Sequence, residues 1–240
     1  MSHNDPNPSF VASGPCIGFA HRGARAYAPE NTLEAFRLAL RLGATGLESD
    51  VWLTSDHIPV LDHDGVVRRT VRSRPLRNVS LTDIPSHIPP LATLLQEIPA
   101  SVPLSLDIKD VEAFKLAYDA CVAARPHNLA DVYFCHPDTE ILEAERSGCP
   151  DIAFVSSTRL VRMKKGPELH AARLRESKIE VVNMPYPDWS GGLVALFHRF
   201  GIRCFAWDCQ QPEQIRAVHR MGIDGIYSDW PDRLADELTT

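Results

Sequence analysis

Val132-Tyr133-Phe134-Cys135 and Ile152-Ala153-Phe154-Val155 are two short, continuously apolar runs, with a segment of helical spacing, Thr139–Arg146, between them. A strand covered on one face alternates apolar and polar residues, whereas a strand covered on both faces is apolar at every position, as in a parallel sheet. Strand, helix and strand within this span predict one βαβ unit.

The same rhythm continues in both directions. Strand-type runs fall at Ile17–Ala20, Gly46–Val51, Leu104–Ile108, Glu180–Asn183, Arg203–Ala206 and Gly225–Ser228, making eight with the first two. Helical spacing recurs at Leu33–Leu42, Val111–Ala124, Pro167–Glu176, Gly192–Phe200, Pro212–Met221 and from Pro231 onward. Asn31, with Glu34 three residues on, is expected to open the first helix as a capping box, and Gly43 to end it. Eight βα repeats in 240 residues predict an α/β chain forming one TIM-type (β/α)8 barrel over residues 16–240, preceded by a polar leader at 1–15. The alternative, an open doubly wound sheet, lacks the Gly-rich fingerprint expected after its first strand.

One stretch breaks the rhythm. Ile58–Gly65 reads as an additional extended segment, and Arg68–Pro99 is rich in Arg, Pro and Ser. Residues 57–100 are therefore expected to be a small insertion after the second barrel strand, on the face where barrel enzymes keep their active sites. The Arg run from Arg68 to Arg77 reads as a solvated loop face.

Composition excludes several functions. A net charge of −6, from 31 Asp and Glu against 25 Lys and Arg, leaves no cationic excess for a nucleic-acid backbone. No run approaches the roughly 20 apolar residues of a membrane span, and the leader has neither a basic nor an apolar signal region. A cytoplasmic location is the expectation, with the six cysteines reduced, although Cys204 and Cys209 are near enough in sequence to bridge. There is no P-loop, nucleophilic-Ser elbow or dinucleotide motif. The oligomeric state is not legible.

The polar residues at the strand ends supply the chemistry. His21 and Arg22 follow the first strand, Glu48 and Asp50 lie on the second, Asp107 and Lys109 on the third, and Trp207 and Asp208 follow the seventh; His63 ends the additional segment. Glu48 and Asp50, two apart in a strand, leave the same face. With Asp107 they would repel one another unless a cation lay between them, and an all-oxygen set suits one hard divalent ion, Mg²⁺ or Ca²⁺. A salt bridge from Asp107 to Lys109 or Arg22 is the competing reading. His21 and His63 are suited to giving and taking protons near neutrality, and Arg22 and Lys109 to holding a phosphate. A single strand-end His is more often a structural residue; the two acquire a catalytic reading from the carboxylates beside them.

These residues resemble the glycerophosphodiester phosphodiesterases. The matching pieces are His21-Arg22-Gly23, Pro29-Glu30-Asn31-Thr32, Glu48-Ser49-Asp50-Val51, Thr54-Ser55-Asp56, Pro59-Val60-Leu61-Asp62-His63-Asp64, Arg69-Thr70, Ile88-Pro89-Pro90-Leu91, Asp107-Ile108-Lys109, Ala206-Trp207-Asp208 and Gly222-Ile223-Asp224-Gly225-Ile226-Tyr227-Ser228-Asp229-Trp230-Pro231. The resemblance implies a barrel that hydrolyses small glycerophosphodiesters to glycerol 3-phosphate and an alcohol. It implies His21 and His63 as the acid/base pair, Arg22 and Lys109 on phosphate, and Glu48, Asp50 and Asp107 on the metal, with Trp207 touching substrate and Glu30 orienting a site residue.

Two departures stand out: Asp107 replaces the family's usual Glu and is one methylene shorter, and Trp207-Asp208-Cys209-Gln210 replaces the usual Trp-Thr-Val-Asn. Attack by water and attack by the neighbouring glycerol hydroxyl, giving a cyclic phosphate, both fit. Two other functions remain in view. A lysophospholipase D or sphingomyelinase-D-like activity would need an apolar channel, for which Trp52, Tyr186 and Trp189 are candidates, and the third option is a barrel that binds phosphodiesters without turnover.

Overall fold

The computed structural model describes residues 14–68 and 73–239. Most of the leader and the Arg69-Thr70 piece lie outside the described residues.

In chain order the elements are β1 (Ile17–Ala20), α1 (Leu33–Arg41), β2 (Gly46–Leu53), β3 (Pro59–Leu61), β4 (Val66–Val67), β5 (Arg74–Pro75), α2 (Leu91–Glu97), β6 (Leu104–Ile108) and α3 (Ala113–Ala124). There follow β7 (Val132–His136), α4 (Thr139–Glu145), β8 (Ala153–Ser157), α5 (Pro167–Glu176), β9 (Val181–Pro185), α6 (Gly191–Arg199), β10 (Arg203–Trp207), α7 (Pro212–Arg220), β11 (Gly225–Ser228) and α8 (Pro231–Leu238). The parallel strands run β1-β11-β10-β9-β8-β7-β6-β2, and pairing of β1 with β2 closes the ring. The fold is the eight-stranded TIM-type barrel expected from the sequence, with helices between the strands.

Strand parity sorts the side chains into two cores. On β6 and β7, Leu104, Leu106, Ile108, Val132 and Phe134 face the surrounding helices. Tyr133 and Cys135 instead join Phe19, Val155, Val181, Phe205 and Tyr227 in a separate cluster inside the ring. Phe19 stacks on Tyr227 with ring centroids 4.8 Å apart and meets Tyr133 edge-on at 5.7 Å. Such layering of side chains fills a barrel of this size and leaves no pore. Gly46 and Gly225, on the strands flanking β1, make room for these rings: a Cβ on either would come within 2.7 Å of a Phe19 or Phe205 ring carbon.

The first helix starts at Leu33 as the spacing predicts, but its cap differs from the one expected. Thr32, not Asn31, is the N-cap, its Oγ1 accepting from the Ala35 amide at 3.1 Å. Asn31 adopts a left-handed φ of 55° and turns its side chain inward, to Asp50 and Ser49. The helix ends as expected at Gly43, whose φ of 92° lets the Gly43 and Ala44 amides close back on the Leu40 and Ala39 carbonyls.

β2 is longer than predicted. Leu47–Val51 pair with β6, while Trp52 and Leu53 project beyond, and Val51–Leu53 carry β3 antiparallel. The segment between β2 and α2 has a small core of its own, Val60, Val67, Leu76, Val79 and Ile88, with Trp52 packed against it. α2 lies within the stretch read as insertion and supplies the helix between the second and third barrel strands, burying Leu91, Leu94 and Leu95. All six cysteines are free, including Cys204 and Cys209. Among the described residues no helix is long and apolar enough to cross a membrane.

Candidate active site

A cavity of about 520 Å³ opens at the C-terminal ends of the strands, within the size range of small-molecule sites. His21, Arg22, Glu48, Asp107 and Trp207 line it, together with Arg25, Asn183, Asp208, Tyr227 and Asp229. Parity explains the acids. Glu48 and Asp50 alternate with Leu47 and Val51, which face the helices, and the register pairs Glu48 with Ser105 and Asp50 with Asp107, so all four point into the barrel.

The turn after β1 aims the first group. Arg22 and Gly23 both take left-handed φ, 54° and 81°. A Cβ on Gly23 would lie 2.7 Å from the Ala35 carbonyl carbon of α1, so the turn needs glycine here. The resulting bend points the Arg22 amide at Glu48 Oε2, 2.9 Å away. Non-glycine residues held in this region cost free energy and cluster at functional sites.

His21 is held from behind. Its Nδ1 lies 2.7 Å from Asp229 Oδ1, and since an ionised carboxylate only accepts, Nδ1 donates. That leaves Nε2 on the cavity side, 3.9 Å from Glu48 Oε2. Burial depresses the imidazole's basicity, but the charge of Glu48 and the bond to Asp229 outweigh it and raise the pKa above the ordinary value. Asp229 responds in the opposite sense: burial pushes its pKa up, and His21 and Arg25 more than reverse the effect, holding it below the usual carboxylate range.

Glu48 is 6 % exposed, and burial pushes its carboxyl up to about 7; His21 opposes this, while Asp50 and Asp107 add to it. Asp107 is also raised, by burial first, with Lys109 pulling it back. Lys109 Nζ bridges Asp107 and Asp50, 3.1 Å from Asp50 Oδ1, so the salt-bridge reading of Asp107 holds for one of its oxygens. The other, Asp107 Oδ1, is buried without a hydrogen-bond partner. Asp50 is fully engaged beneath the cavity, by Asn31 Nδ2 at 3.1 Å, by Lys109, and by Arg22 Nε at 3.2 Å as an ion pair lacking hydrogen-bond alignment. Glu30 holds Arg22 and Arg25 at 3.0 and 2.6 Å.

The donor set fits a hard cation. Two carboxylates, the buried Glu48 and the half-buried Asp107, face one cavity, Asp107 with an orphaned buried oxygen and Glu48 held above its usual pKa, while the nearby arginines are already compensated by Glu30, Asp50 and Asp229. His198, Cys204 and Asp224 form another grouping of metal-capable side chains, at the opposite end of the barrel. There Asp224 Oδ2 accepts from His198 Nε2 at 2.8 Å and from the Cys204 amide at 2.7 Å, which explains the cluster structurally.

Some expected residues stand apart. His63 is not in the cavity lining; it follows β3 with its ring turned to Asp64, Nδ1 to Oδ1 being 2.9 Å. The residue before it is tied to β2, the Asp62 amide donating to the Asp50 carbonyl at 3.2 Å. Of the candidates for an apolar channel, Trp189 is buried in the core and donates to the Phe205 carbonyl, while Tyr186 and Trp52 are partly buried, packed against the main core and the small core of the insertion. Asp229 and Arg25 carry no role in the sequence reading and Asn31 only that of a helix cap, although Asp229 follows directly on the last strand.

Known proteins share this chain's sequence pattern and fold. The model of the glycerophosphoryl diester phosphodiesterase family matches residues 21–88 and 105–233. A Bacillus subtilis relative, YhdW, named as a glycerophosphodiester phosphodiesterase, is 27 % identical over 89 % of this chain and 94 % of its own. Two solved structures show the same fold. One is a glycerophosphoryl diester phosphodiesterase from Silicibacter pomeroyi, with a TM-score of 0.80 and 24 % identity over 97 % of this chain and 96 % of that one. The other is an Oleispira antarctica phosphodiesterase in complex with the product sn-glycerol-3-phosphate, with a TM-score of 0.79 and 20 % identity over 94 % of this chain and 98 % of that one. A family match over both halves of the barrel, on residues that meet in one cavity, makes this chain a member of the glycerophosphoryl diester phosphodiesterase family, and so a phosphodiesterase.

Proposed function

We propose that the protein hydrolyses small glycerophosphodiesters to glycerol 3-phosphate and an alcohol, using one divalent cation, Mg²⁺ or Ca²⁺, and the imidazoles of His21 and His63. The observation that carries the reading is the meeting of His21 Nε2, Glu48 and the orphaned Asp107 Oδ1 at one cavity. The cavity walls are acidic, so a phosphate is repelled unless positive charge is added. A bound cation supplies that charge and Lewis acidity toward the phosphoryl oxygens.

The chain's own residues do the rest. Glu48 and Asp107 would hold the cation, and Asp50 braces Lys109 and Arg22. Arg22 and Lys109 meet the non-bridging oxygens. As the nucleophile's oxygen bonds to phosphorus, one imidazole takes its proton and the other protonates the departing alcohol oxygen; Asp229 keeps His21 in the tautomer that presents Nε2. Trp207 and Asp208, at the rim, contact the alcohol end.

The test is glycerol 3-phosphate release from a panel of glycerophosphodiesters, with EDTA and after returning Mg²⁺, Ca²⁺ or Mn²⁺. Release that needs a returned ion supports the reading, and full turnover in EDTA sinks its metal part. A substrate without the vicinal hydroxyl separates the routes, since only direct attack by water still cleaves it.

A further inference from the structure

The loop from β8 to α5 is unlike the rest of the surface. Between Ser157 and Pro167 it carries Arg159, Arg162, Lys164 and Lys165 and no acid, in a chain whose net charge is −6. All four cations are exposed, and none has an ion-pair partner among the described residues. Apolar side chains are interleaved with them. Val161 is 82 % exposed, Leu160 38 % and Leu169, at the start of α5, 53 %, which makes three of the six large hydrophobics exposed among the described residues. Leu169 lines the same shallow groove as Arg162, Lys164 and Lys165, so these cations share one surface with an exposed leucine, and Leu160 and Val161 directly precede Arg162 in the chain. The loop is tied at its base, the Leu160 amide donating to Asp188 at 2.9 Å.

Its position matters as much as its composition. Ser157 lines the cavity, and the Arg159 guanidinium stacks over Trp207, 5.1 Å from the ring centroid. The loop is thus the lip of the cavity on that side.

Exposed aliphatic groups among unpaired cations suit a surface that is anionic outside and apolar just beneath, because each part then finds its complement. We infer that the loop 158–166, with Leu169, is a docking surface for an anionic lipid bilayer, seating the mouth of the barrel against the membrane. Val161 and Leu160 enter the headgroup region while Arg162, Lys164 and Lys165 meet lipid phosphates. An acidic protein would satisfy the cations but has no general use for an 82 %-exposed Val161.

The experiment is co-sedimentation of the whole chain with vesicles of phosphatidylglycerol and phosphatidylcholine in equal parts, against vesicles of phosphatidylcholine alone. Wild type should pellet with the mixed vesicles and be released by high salt. Val161→Asp, and separately the pair Lys164→Glu with Lys165→Glu, should each weaken this binding by at least about tenfold, with hydrolysis of a soluble glycerophosphodiester unchanged.

The inference is overturned if wild type does not pellet, if it binds both vesicle types equally, or if both variants still bind. It is also overturned if inorganic phosphate or polyglutamate, at matched ionic strength, displaces the protein as well as anionic vesicles do, since the surface would then be a phosphate or acidic-protein site. Binding is read without turnover, so its failure is separate from failure of the hydrolase reading.

Discussion

At the scale of single residues, the site is a contest between burial and charge, and it can be read group by group. Glu48 holds its proton to about pH 7 in the cation-free fold, whereas the same carboxyl in the unfolded chain loses it near its ordinary value of 4.5. Between those values the native state binds more protons than the unfolded state, so Glu48 lowers stability as pH rises through this window. In EDTA, Glu48→Gln should therefore become more stable relative to wild type as pH increases from 4.5 to 7, by on the order of 1–3 kcal/mol, in paired denaturant titrations. A difference that stays flat with pH would mean the carboxyl is not so held. A saturating divalent ion should abolish the advantage.

His21 and Asp229 make a second residue-level prediction. His21→Ala should cost about 10²- to 10⁴-fold in kcat with the melting temperature retained. Asp229→Asn keeps the shape but loses the charge that raises the imidazole's pKa, so kcat should fall about 10- to 100-fold. The pH-rate inflection due to His21 should move to lower pH, a change that a merely structural Asp229 would not produce. The sequence makes His21, Glu48 and Asp107 visible because each lies on a barrel strand or just beyond its C-terminal end. It hid Asp229's role because that bond joins residues 208 positions apart. It also hid Asn31, whose left-handed backbone converts an apparent helix cap into a buried clamp on Asp50.

At the scale of elements, strands such as β7 and β8 are legible because they are covered on both faces and so read as unbroken apolar runs, and the βα rhythm they set locates the others. Where a segment is covered by a small local core, that signal fades. β3, β4 and β5 are only two or three residues long, and α2 begins at Pro90 without a side-chain cap, in a Pro-rich stretch that masks its Leu91, Leu94 and Leu95 spacing. The glycines in β2 and β11 carry information the strand pattern does not. Gly225→Val should crowd the Phe205 and Phe19 rings and cost about 1–3 kcal/mol by thermal or denaturant unfolding. A neutral outcome would mean the aromatic layer is loosely packed.

At the scale of the whole molecule, the closed barrel brings groups from opposite ends of the chain to one mouth: His21 from β1, the acids of β2 and β6, Trp207 from β10 and Asp229 after β11. The ring closes through β1, so the first and last strands are neighbours and the Gly225–Ser228 register sets where Asp229 meets His21. A single cavity built from sequence-distant residues predicts that turnover and the cation should be lost together.

The most direct measurement is release of glycerol 3-phosphate from glycerophosphocholine by metal-stripped wild type and His21→Ala, before and after Mg²⁺ or Ca²⁺ is returned. The account predicts turnover only in wild type with an ion restored. Equal release by the folded His21→Ala variant, or none from wild type with any ion or glycerophosphodiester, would contradict it.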